Sequence, residues 1–171
     1  MARYVLDTNI LSYLADTVSP FHAAAHDGLA ALADEDEVAL SVLSLFELHH
    51  WFAYHPADRR VVEELIGDFD VLPLPHAGAE RFGRLMRALR GDGLSRREVR
   101  RHALDGMIAV TAVEHGAVLV SSDALFARLS DKAAGAALVS HERQWSALTE
   151  ARSALEVDPA LPPELIAESL R

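Results

Sequence analysis

Ala2-Arg3-Tyr4-Val5-Leu6-Asp7-Thr8-Asn9-Ile10-Leu11 decides the fold: a short apolar run stops at an acidic residue, and a helix-like pattern begins at once. The run lacks the polar alternation of a half-exposed strand, which fits a strand buried on both faces of a parallel sheet. Two later runs repeat the pattern. Val38-Ala39-Leu40-Ser41-Val42 comes shortly before Glu47, and Ala117-Val118-Leu119-Val120-Ser121 comes just before Asp123, each leading into helix-like sequence. Strands alternating with helices indicate an α/β domain. In an open parallel sheet flanked by helices, ligands bind at the carboxyl ends of the strands. Asp7, Glu47 and Asp123, far apart in sequence, are therefore expected to meet at one edge.

Working outward, the pattern predicts helices from Thr8 to about Ala15, from His22 to Ala33, from Ser44 to Tyr54 and from Arg59 to Ile66, then an extended passage over Asp70 to Leu74. An arginine-bearing helix follows, with Phe82, Leu85, Met86 and Leu89 spaced to face the core. Gly91-Asp92-Gly93 reads as a turn. A single long helix from about Arg96 to His115, stopped by Gly116, would carry Asp105 near its middle. A short helix over Asp123 to Leu129 and a weak last strand over Ala136 to Val139 complete the domain. From His141 onward the chain reads as a helical C-terminal extension, with helices over Gln144 to Leu155 and from Pro162 to Leu170. The expected organisation is one α/β domain over residues 1–140 and an extension over 141–171.

The 171 residues suffice for one such domain with a real core. The absence of cysteine excludes a disulfide framework and a thiolate metal site. The opening residues lack the apolar core of a signal peptide, and no stretch approaches the roughly 20 apolar residues that span a bilayer. A cytoplasmic protein with no membrane partner is expected. The net charge of −10 argues against a nonspecific nucleic-acid coat, but the charge is uneven. Residues 81–101 hold eight arginines against Asp92 and Glu98, a local +6 that leaves −16 for the rest. Such a segment either contacts a phosphate backbone or forms a solvated helix face.

Each carboxylate has a structural reading. Ser44-Leu45-Phe46-Glu47 matches a capping box, Asp7 and Asp123 suit helix starts, and Asp105 could be a solvated helical residue beside Leu104, Met107 and Ile108. Their joint pattern has another consequence. One carboxylate pair about 4 Å apart repels by roughly 4 kcal/mol at an effective dielectric of 20, so four together must hold protons at raised pKa or hold a cation. An all-oxygen set without cysteine selects Mg²⁺ or Mn²⁺.

Tyr4-Val5-Leu6-Asp7-Thr8-Asn9-Ile10-Leu11 resembles the opening motif of PIN-domain ribonucleases, and Ser44-Leu45-Phe46-Glu47-Leu48 their second acidic motif. Leu104-Asp105-Gly106-Met107-Ile108-Ala109 and Val118-Leu119-Val120-Ser121-Ser122-Asp123-Ala124-Leu125-Phe126 resemble the family's later helix and closing motif. The resemblance covers about residues 1 to 140 in the right order. It implies a three-layer α/β/α fold around a mainly parallel sheet and a metal-dependent endoribonuclease, most often the VapC-type toxin of a toxin-antitoxin pair. Asp7, Glu47, Asp105 and Asp123 would be the catalytic set and would ligate Mg²⁺ or Mn²⁺, with Asn9 and Ser121 arranging them. A metal-activated water would cleave RNA to leave 5′-phosphate and 3′-hydroxyl ends. Arg84, Arg87, Arg97, Arg101 and His102 are candidates for RNA contact. The resemblance also implies a homodimer and an antitoxin partner whose tail places an arginine among the carboxylates. One departure stands out: the closing motif often carries an acid two positions after its carboxylate, and here that position is Leu125.

The remaining signals are weaker. His22 and His26 have a zinc-chelating spacing and His49, His50 and His55 form a second group, but no protease glutamate lies between the first two, and all read as ordinary surface or packed histidines. Trp51, Phe52 and Tyr54 read as packing residues. A phosphatase-like site using Asp7 as nucleophile would want a second aspartate where Asn9 stands. A non-catalytic RNA- or protein-binding module, or a PIN nuclease of RNA processing outside a toxin pair, are the alternatives to the toxin.

Overall fold

The apolar runs form a parallel sheet. The computed structural model describes residues 1–54, 59–67, 69–123 and 125–126. Along these the order is β1 (Arg3–Leu6), α1 (Thr8–Ala15), α2 (His22–Ala30), β2 (Glu37–Ser41), α3 (Val42–Phe52), α4 (Arg59–Ile66), β3 (Asp70–Leu72), a 3₁₀ turn (His76–Gly78), α5 (Ala79–Gly91), α6 (Arg96–Arg101), α7 (Ala103–Glu114) and β4 (Val118–Val120). The sheet order is β3-β2-β1-β4, with every pairing parallel. Leu6 pairs with Leu40 on one side and Val120 on the other, so the carboxyl ends of these three strands lie level. From β1 the chain adds β2 and then β3 on one side, and then crosses back over to place β4 on the other side of β1. The crevice above β1 and β4 is thus the topological switch point, where sheets of this class hold ligands.

Alternation along the strands builds three layers. Tyr4, Leu6, Leu40 and Val120 face one way and pack with Ile10, Leu11 and Leu14 of α1, Leu48 and Phe52 of α3 and Val62 of α4. Val5, Ala39 and Leu119 face the other way and meet Leu85 and Leu89 of α5, Val99 of α6 and Ile108 and Ala109 of α7. Both faces are covered along the middle of β1, β2 and β4, which explains their apolar runs, while Arg3, Glu37 and Asp70 stand at the less buried starts of β1, β2 and β3. α7 is buried from Ile108 through Ala112. It lies close under α5 because Gly106 lacks a side chain; a Cβ there would come within 2.5 Å of Met86 Cε. Gly116, at φ +63°, closes α7, and the Ala117 amide reaches back to the Ala112 carbonyl. No helix among the described residues is long and apolar enough to cross a membrane.

Three expectations change. The helix expected over Arg96 to His115 is two: His102, at φ −88° and ψ 12°, leaves helical geometry and separates α6 from α7. Asp105 therefore sits in the first turn of α7, where the helix dipole favours a negative charge. The helix expected to start at Ser44 starts at Val42, capped by Ser41, whose hydroxyl accepts from the Leu43 amide. α2 ends at Ala30, three residues early. The strand expected over Ala136 to Val139, most of the helix over Asp123 to Leu129 and the extension 141–171 lie outside the described residues.

Candidate active site at the carboxyl ends of β1 and β4

Asp7 is the centre of the site. It follows β1 directly, caps α1 and is 6% exposed. Its amide donates to the Val120 carbonyl of β4, fixing its backbone to the neighbouring strand. Its Oδ1 accepts from the Thr8 amide at 2.8 Å and its Oδ2 from the Ser121 hydroxyl at 2.6 Å. Ser121 Oγ in turn accepts from Asn9 Nδ2 at 3.1 Å and from the Asp123 amide at 3.0 Å. A hydroxyl has one proton and two lone pairs, and here all three are used. The structure thus brings Asp7, Asn9 and Ser121 into one network, with the Ser122 amide approaching Asn9 Oδ1 at 3.4 Å.

The other carboxylates arrive from separate elements. Glu47, on α3, is partly buried and accepts a short hydrogen bond from the Thr8 hydroxyl. The capping-box reading of Glu47 is therefore overturned: its carboxylate turns to α1, and the Ser44 hydroxyl is buried without a hydrogen-bond partner. Asp105 Oδ2 lies 3.2 Å from His102 Nδ1. Asp123 is exposed, and its Oδ1 accepts from the Leu125 amide at 2.7 Å.

Electrostatics link these groups. Burial, with the charges of Asp105 and Glu47 adding to it, pushes Asp7 from 3.8 up to about 7, against the lowering pull of its Ser121 and Thr8 hydrogen bonds. Burial and Asp105 likewise raise Glu47, while Thr8 and His50 act the other way. Burial and Asp123 raise Asp105, opposed by His102. The four acids thus form a chain of mutual repulsion. Among the described residues, no three acidic or histidine side chains converge closely enough to hold a metal ion as they stand. Asp7, Glu47 and Asp123 are each turned to a hydroxyl or amide of their own chain, and Asp105 to His102. The donor set nonetheless fits a hard divalent cation, being all carboxylate oxygen around a buried Asp7 that meets only neutral donors.

The arginines lie apart from this network. Arg84 is exposed on α5 and paired with Glu80; Arg87, Arg97 and Arg101 are exposed on α5 and α6. Phe82 and Met86 pack inward with Leu85 and Leu89, as their spacing predicts. Leu125, where an acid was looked for, is buried in the core. His22 Nδ1 meets the Tyr13 carbonyl and its ring contacts His26, whereas His49 and His50 lie against Phe52 and Tyr54. His55 lies outside the described residues. Phe52 and Trp51 pack as expected, but Tyr54 is 71% exposed. Sequence reading missed Thr8, the residue joining Asp7 to Glu47. Its position inside the opening motif was the available signal.

The family profile described as PIN domain matches residues 4–132. The chain belongs to the PIN-domain family. Solved structures agree on the PIN fold. VapBC2 from Rickettsia felis, bound to a promoter DNA fragment, is 21% identical with a TM-score of 0.61, covering 74% of this chain and 92% of that one. VapBC-1 from nontypeable Haemophilus influenzae is 23% identical with a TM-score of 0.59, covering 75% and 93%. VapBC-5 from Mycobacterium tuberculosis, described as a member of the VapBC family of toxin-antitoxin systems, is 25% identical with a TM-score of 0.54, covering 75% and 91%. No protein of curated function matches the sequence.

Proposed function

We propose that this PIN-domain protein is a Mg²⁺- or Mn²⁺-dependent endoribonuclease and the toxin of a toxin-antitoxin pair. The observation that carries the first half is Asp7: buried, raised to about 7, and set against the charges of Glu47 and Asp105. Carboxylates placed so are costly to a fold unless a cation uses them. Asp7, Glu47, Asp105 and Asp123 would hold the ion, which when bound lowers the pKa of a water and offsets charge on phosphate oxygens. The protein's own part is positioning. Ser121, held by Asn9, fixes one Asp7 oxygen, and Thr8 orients Glu47. Asp105, at the start of α7, is steadied by His102. Arg84, Arg87, Arg97, Arg101 and His102 would hold the RNA backbone beyond the site.

The toxin assignment draws on the VapBC systems among the similar structures. An antitoxin partner is proposed on the same ground, and a homodimer on the resemblance to PIN-domain toxins. Residues 141–171 would be an extension outside the nuclease domain. The competing reading, a binding module that has lost catalysis, is disfavoured because all four carboxylates are kept. Cleavage of total RNA with Mg²⁺ or Mn²⁺, with EDTA and with Asp7→Asn protein tests the nuclease: discrete fragments absent from both controls support it, and cleavage that survives either control overturns it. Growth arrest on expression, relieved by the gene neighbour's product, tests the toxin.

A further inference from the structure

On the nuclease reading, which it presupposes, we infer that the outer face of α3, marked by Phe46, His50 and Tyr54, is a stacking platform for bases of single-stranded RNA running out of the carboxylate site. Most large apolar side chains among the described residues are in the two cores, yet Phe46 is 70% and Tyr54 71% exposed. They are the two aromatics among the described large apolar residues left in solvent. Both lie on one line along the helix, with His50 between them, and the His50 ring meets Tyr54 edge-on at 5.5 Å. Ala53, the C-cap, keeps αR geometry and the Tyr54 amide bonds back to the Trp51 carbonyl, so Tyr54 continues just past the end of α3 in a tightened turn near that line.

Turning about 100° per residue, α3 places Phe46, His50, Tyr54 and Glu47 within a sector roughly 100° wide. Ser44, Leu48 and Phe52 fill the opposite, buried side. Glu47 stands at the edge of the exposed sector, where its carboxylate turns to Thr8. The aromatic line is therefore continuous with the acidic site and not a separate patch. Flat rings on an exposed face, spaced along a path that begins at the scissile-phosphate site, suit unpaired bases, which stack on aromatics with little regard to sequence. A second copy of the chain suits the face less well. A stable interface needs about 800 Å² on each partner with a dry apolar centre, whereas here two rings are interleaved with the exposed His49 and His50.

The test uses the full chain carrying Asp105→Asn, so that RNA stays intact, and a fluorescein-labelled single-stranded RNA of mixed sequence. Phe46→Ala and Tyr54→Ala are each expected to weaken binding about 5- to 100-fold, while Phe46→Trp keeps it. Because a ring carries no charge, the salt dependence of binding keeps its slope; Arg97→Ala should reduce that slope. Circular dichroism and light scattering check that fold and mass are unchanged. Equal affinity in parent and alanine variants overturns the platform and leaves the nuclease standing. Weaker binding that occurs only with loss of a dimer also overturns it and makes the face a contact between copies. No RNA binding by the parent, together with no cleavage by the unmutated chain, sinks both.

Discussion

Carboxylates are managed in two ways in this molecule. Over the outer surface they meet arginines: Glu37 with Arg3, Glu63 with Arg59, Glu64 with Arg60, Glu80 with Arg84 and Glu114 with Arg81. At the carboxyl ends of β1 and β4, no ion pair among the described residues brings an arginine or lysine to Asp7, Glu47, Asp105 or Asp123; only His102 approaches, at Asp105. Arginine is plentiful, so its absence there is a matter of placement. The surface pairs neutralise charge where water already screens it. Asp7, Glu47 and Asp105 sit where screening is weaker and have no arginine or lysine partner, so Asp7 holds its proton up to about 7, and ionising it has a cost to stability that a bound cation would offset.

The largest effect is expected from Asp7→Asn. It should lower RNA cleavage on the order of 100-fold or more. Stability of the cation-free protein should move the opposite way. Between pH 3.8 and about 7 the folded state keeps a proton on Asp7 that the unfolded state has released. Stability therefore falls as pH rises through this window and levels off above it. The asparagine side chain of the variant cannot titrate, so in EDTA the variant should gain on wild type across the window, by at most about 4 kcal/mol. Urea unfolding from pH 4 to 8 measures this; a gap that does not widen with pH would remove Asp7 from the account.

Next comes the cation. At pH 7.5, Mg²⁺ at a hundredfold excess over its Kd should stabilise wild type by about 2.7 kcal/mol and Asp7→Asn much less. Calorimetric melting with and without EDTA reads the difference. Equal shifts in the two proteins would place the ion elsewhere. Thr8→Val removes the hydroxyl on Glu47; it should slow cleavage about tenfold while changing stability by about 1 kcal/mol, with Thr8→Ser restoring the rate. The smallest effect belongs to the surface. Arg60→Ala, breaking an exposed pair one turn apart in α4, should alter stability by less than about 0.5 kcal/mol by urea unfolding.

The same division explains what could be read from the sequence. Asp7 was legible because strand burial and helix onset are local patterns, and the run Tyr4 to Leu6 carries both. Glu47 was legible as an acid of the site, but its capping-box reading fails. Ser41 and Ser44 both precede it, and whether β2 ends early enough for Ser41 to cap α3 depends on its pairing with β1 and β3. The break at His102 had no glycine or proline to announce it; it lets Val99 of α6 and Ile108 and Ala109 of α7 all reach one core. Thr8 was overlooked because its partner lies 39 residues away. Long-range hydrogen bonds leave no periodicity.

The fully used Ser121 hydroxyl bears on how the sequence can drift. Threonine offers the same proton and lone pairs, and alanine none, so substitution at 121 is confined to a hydroxyl. Asn9 touches Asp7 only through that hydroxyl. A change at Asn9 should therefore be tolerated in relatives only with a matching change around residues 121–123, and position 9 and this segment should vary together or not at all.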